Sequence, residues 1–139
     1  MTPAELRALA DDVEKLDGPS REMDVRVEVA LGAKMAATSL SSVAVSVPDP
    51  NNPGWREFRG ARLYTASLDA AASLVPNEKG EWCIRSECNT SRWLAYVARW
   101  EPRPFIISEV RAATEPLART ACALRARAAL LEAGETADA

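Results

Sequence analysis

Histidine is missing from this chain altogether, and with it go the Ser-His and Cys-His nucleophile pairs and the imidazole metal sites behind much of enzyme chemistry. A basic excess is missing too. Seventeen Lys plus Arg stand against twenty Asp plus Glu, a net charge of -3, so neither duplex nucleic acid nor an anionic membrane is the expected partner. No stretch approaches the roughly 18 to 20 continuous apolar residues that span a bilayer. Met1 leads into Thr2-Pro3-Ala4-Glu5 without a charged and apolar leader, which reads as a soluble, cytoplasmic protein. Cysteine is scarce: Cys83, Cys88 and Cys122 are an odd set, better read as reduced thiols than as a disulfide framework. They fall one ligand short of a closed zinc site, so no metal is expected. Walker, dinucleotide and nucleophile-elbow glycine motifs are absent. Asp49, Glu57 and Arg59 echo a nuclease only faintly, since the expected Lys is an Arg and the first acid sits among prolines.

What is present is a globular composition, 47% hydrophobic and 27% charged over 139 residues, enough for a single domain with a core over 1-139. Thr2, Pro3 and Glu5 form a capping box ahead of Leu6, Leu9, Val13 and Leu16 at helical spacing, which predicts a helix from about Pro3 to Asp17, ended by Gly18-Pro19. The next segment carries two opposed signals. Met23, Val25, Val27, Val29 and Leu31 alternate with polar residues and Ala30 as in a half-buried strand, while Ser20 and Gly32 sit where helix caps belong. Residues 34-61 are rich in Ser, Pro, Asn and Gly and read as a long loop, with room for a short strand from Ser42 to Val47. That loop carries Trp55, Arg56, Phe58 and Arg59.

Ser67 caps a short helix that runs to Val75 and Pro76. Trp82 to Cys88 and Trp93 to Trp100 then read as a hairpin, and Phe105 to Val110 as a third strand of an antiparallel meander. Thr114, Glu115 and Pro116 open a last helix with Leu117, Ala121, Leu124, Ala128 and Leu131 on one stripe, ending at Gly134 before a flexible tail, 134-139. Leu130, with Ala123 and Ala126 nearby, falls opposite that stripe. It reads either as a second buried side, against a neighbour or another subunit, or as one exposed leucine.

Three segments, LDGPSREMDVRVEVALG (Leu16 to Gly32), YTASLDAAASLVP (Tyr64 to Pro76) and TEPLARTACALRARAA (Thr114 to Ala129), resemble the phage alpha-beta-alpha (ABA) sandwich domain, a family of small phage and prophage proteins. The resemblance implies a phage or prophage origin, a helix over Ser20 to Leu31, and an α+β fold with a small antiparallel sheet packed between helices. It implies no mechanism.

Indole stacking with forked guanidinium contacts is one way to hold a nucleotide. On that ground Trp55, Arg56, Arg59, Tyr64, Arg92 and Trp93 are the candidate ligand-binding residues, and a nucleotide sponge that counters host antiviral signalling is one alternative function. Against it, tryptophans on a hairpin are ordinarily core and arginines between them ordinarily solvated. A second alternative is a double-stranded RNA-binding-like module, from the order helix, three strands, helix. Glu115 and Pro116 stand where phosphates would need cations, so nucleic acid is not favoured. The leading expectation is a phage accessory protein that binds rather than catalyses, without a cofactor, its partners being itself, another protein or a small nucleotide.

Overall fold

The computed structural model describes residues 1-35, 43-76, 82-89, 91-99 and 105-134. The capping box forms as spelled: Thr2 Oγ1 accepts from the Glu5 N–H at 3.2 Å and Glu5 Oε2 from the Thr2 N–H at 2.7 Å, launching α1 (Pro3–Glu14). Ser20 Oγ likewise accepts from the Met23 N–H at the start of α2 (Arg21–Ala30). Gly32, at φ 101°, takes the left-handed turn that ends it.

The alternating valines are thus helical, and the packing of α2 explains the alternation. Residues two apart on a helix point about 200° apart. Met23 and Val27 join the main core, while Val25 joins a second, smaller core with Ala33, Val45 and Ala61. A helix buried on two opposite sides therefore shows the period of a strand.

The second core exists because residues 34-61 are not one long loop. They contain β1 (Lys34–Met35), β2 (Ala44–Pro48) and β3 (Arg56–Gly60), an antiparallel sheet in the order β1-β2-β3. The Pro/Asn-rich stretch is the turn between β2 and β3. Asp49 accepts from the Asn51 N–H and from Asn52 Nδ2, each at 2.9 Å, and Gly54 supplies φ 84°. The strand signal was hidden because β3 reads REFRG, with charged side chains on both faces. Ser42 lies outside the described residues.

Ser67 caps α3 (Leu68–Ala72). The antiparallel meander follows as β4 (Trp82–Asn89), β5 (Arg92–Arg99) and β6 (Phe105–Ala112), with Ala95 opposite both Ser86 and Val110. Capped by Thr114, α4 (Glu115–Glu132) lies across this sheet and packs on its other side against α1 and α3. An α+β fold with a three-stranded antiparallel sheet packed against helices is thereby confirmed, and the small sheet flanks the helices beyond α2. Residues 135-139, most of the expected tail, lie outside the described residues.

Burial on two sides explains the composition of α4. Ala118, Ala121, Ala123, Ala126 and Ala128 are buried with Leu117 and Leu124, and small side chains let helix and sheet approach closely. Each fully buried leucine contributes about 1.5–3 kcal/mol. Leu130 is 3% exposed and belongs to this core, whereas Leu131 is 41% exposed. The second apolar side is therefore covered within the chain. Arg125 binds Glu14 at 3.0 Å and also Asp11, and Arg7 binds Glu132, bracing α1 on α4 from the rim.

Candidate functional site

Two carboxylates of α2, Asp24 and Glu28, are one helical turn apart and both buried. The chain from Arg59 to Thr65 closes over them. Asp24 Oδ1 accepts from the Thr65 N–H at 2.9 Å and from Thr65 Oγ1 at 2.8 Å, while Oδ2 takes Arg21 at 2.7 Å. Glu28 takes both arms of the Arg59 guanidinium, at 2.7 and 3.0 Å, together with the Arg62 N–H and the Tyr64 hydroxyl. Burial alone would raise the Glu28 pKa, but Arg59, the Arg62 N–H and Tyr64 outweigh it and hold the group below its ordinary value. Burial, and then the negative charge of Glu28, push the Tyr64 hydroxyl up to about 12. This cluster locks the small sheet and the turn after it onto α2. Tyr64→Phe takes a donor from a buried carboxylate and is expected to cost about 1–2 kcal/mol in urea unfolding.

Two of the six sequence candidates, Arg59 and Tyr64, therefore meet on Glu28. Arg56 turns back onto its own sheet, with Nε on Ser46 Oγ at 2.8 Å and Nη2 on the Ser46 carbonyl at 2.9 Å. Trp55 is 73% exposed just before β3. Arg92 and Trp93 begin β5 in the other sheet, and Trp93 packs against the main core. Of the three guanidiniums, those of Arg56 and Arg59 are already engaged. Trp82 starts β4, and Trp100 lies outside the described residues. Cys88 is exposed and Cys122 buried, with burial pushing the Cys122 thiol up to about 11 away from nucleophilic use. Among the described residues no group of three or more Cys, Asp or Glu is placed to hold a metal ion.

A concave feature lies elsewhere. A groove of about 790 Å³ opens between α1, α2 and the small sheet, lined by Met1, Leu9, Val25, Val29, Met35 and Val43. Its charges are unequal in availability. Arg26 is held by Asp12 at 2.8 Å and Arg21 by Asp24, and the Glu5 carboxylate is taken by the Thr2 N–H, whereas Glu22 forms no ion pair among the described residues. The groove was not legible in the sequence, because Val25 and Val29 carried a strand-like alternation against the helix caps and Met35 read as part of a loop. The one available signal was the pair of caps around Arg21–Ala30, which sets α2 beside α1.

Comparisons of the chain with protein-family models, with curated proteins and with solved structures find no match.

Proposed function

We propose that this protein is a phage or prophage accessory protein that acts in the host cytoplasm by binding rather than by catalysis, and that the groove between α1, α2 and the small sheet receives a basic amphipathic helix of a partner protein. The groove carries this reading: its walls are apolar, its cations are already paired, and its available charge is Glu22. Two helices with an apolar cleft between them suit a third helix laid along them, and the exposed, flexible side chains of Met1 and Met35 in its lining adapt to a partner's shape. The origin rests on the resemblance of the three segments. No helix among the described residues is long and apolar enough to cross a membrane.

The test is fluorescence anisotropy with a dye-labelled amphipathic Leu/Lys helical peptide, and with its Leu/Glu counterpart. Saturable binding of the Leu/Lys peptide is expected, weakened about tenfold by Met35→Asp, a change equivalent to about 1.4 kcal/mol. Glu22→Lys should shift preference toward the Leu/Glu peptide. Equal binding by wild type and Met35→Asp, or no preference between the peptides, overturns the reading. So does a nucleotide-dependent rise in melting temperature that Arg92→Ala abolishes.

A further inference from the structure

β3 is an edge strand, and its free edge has a defined set of unpaired groups. The register places Val45 opposite Arg59 and Val47 opposite Glu57. In step with it, the Ala61 N–H donates to the Val43 carbonyl at 2.8 Å and the Asp49 N–H to the Trp55 carbonyl at 3.0 Å. Hydrogen-bonded and non-bonded pairs alternate along an antiparallel ladder, so residues 55, 57, 59 and 61 bond inward to β2. The N–H and C=O groups of Arg56, Phe58 and Gly60 therefore point away from the sheet. Among the described residues only the Gly60 carbonyl meets a donor, Arg59 Nη1 at 3.1 Å.

Among the described residues no strand, helix or loop pairs with this edge. The strand holds neither Lys nor Pro, the usual devices against edge pairing, and the Arg56 side chain folds back over β2. Phe58 is 72% exposed.

We propose that a second copy of this chain adds antiparallel to the free edge of β3 about a two-fold axis at Phe58. The strand is self-complementary in that register. Phe58 exchanges N–H and C=O with Phe58 of the other copy, and Arg56 does so with Gly60 of the other copy, satisfying the outward groups pairwise. Glu57 stands opposite Arg59 of the other copy and Arg59 opposite its Glu57, so each carboxylate meets a guanidinium held by Glu28 rather than a like charge. The two Phe58 rings meet on the outer face, and the two small sheets become one continuous sheet with an isologous interface. The peptide groove is lined by other residues, so this pairing stands or falls independently of it.

The test is sedimentation velocity at about 100 μM, where micromolar association registers. Wild type should sediment at twice the 15.0 kDa of the chain. Phe58→Glu and Phe58→Lys, each placing like charges across the axis, should each sediment as a monomer with unchanged circular dichroism. An equimolar mixture of the two should recover the dimer, since opposite charges then meet at the axis. If either Phe58 variant fails to fold, Glu57→Arg, which sets like charge opposite Arg59, takes its place and should give a folded monomer. A monomeric wild type, a dimer that persists in the variants, or a mixture that stays monomeric overturns the proposal.

Discussion

Glu28→Ala is expected to lose about 3–5 kcal/mol of unfolding free energy, the cost of stripping one partner from a buried ion pair. The size follows from what the carboxylate leaves behind. Arg59, the Arg62 N–H and the Tyr64 hydroxyl all donate to it, and alanine satisfies none of them. Set against the roughly 5–15 kcal/mol of a typical domain, that loss is about a fifth of the stability or more, and the urea midpoint should fall in proportion. Glu28→Gln retains an acceptor and should lose less.

The same pair separates charge from hydrogen bonding through pH. The folded pKa of Glu28 lies below its ordinary 4.5. Its ionised form thus stabilises the fold fully above the unfolded value, and that contribution is lost as pH falls through 4.5 toward the lower folded value. Wild type and Glu28→Gln should therefore differ by a constant amount around neutrality and converge in acid. Melting curves of both variants across that range provide the measurement, and parallel curves throughout would mean that charge contributes nothing at this position.

Leu130→Lys should destabilise the fold by about 3 kcal/mol or more, while Leu131→Lys stays within about 0.5 kcal/mol of wild type. The two leucines are adjacent in sequence, yet one is 3% and the other 41% exposed. Lysine at 130 would place an unpaired ammonium in the α4 core and lose the apolar burial as well. Were Leu130 instead part of a subunit interface, its lysine variant would be a stable monomer. Urea unfolding together with sedimentation distinguishes the outcomes: loss of stability at 130 supports the core assignment, and a stable monomer refutes it.

How much of this was legible in the sequence depends on the distance over which each signal acts. Thr2, Ser20, Ser67 and Thr114 mark their helix starts because a cap bonds an N–H three residues on. Gly32 and Gly134 mark two helix ends because their positive φ suits glycine. The meander shows through its β-branched and aromatic runs and short connections, and the absence of histidine removes whole classes of chemistry.

The tertiary structure alone decided the rest. Whether Val25 faces a core depends on the small sheet, whose strands look like loop until Glu28 neutralises Arg59. Glu28 meets its partners 31 to 36 positions away, a pairing that no local pattern encodes. Leu130 and Leu131 are distinguished only by where α1, α3 and the large sheet settle around α4. Caps and turns are written in neighbouring residues; which sides of a helix are buried is set by the elements that fold onto it from far along the chain.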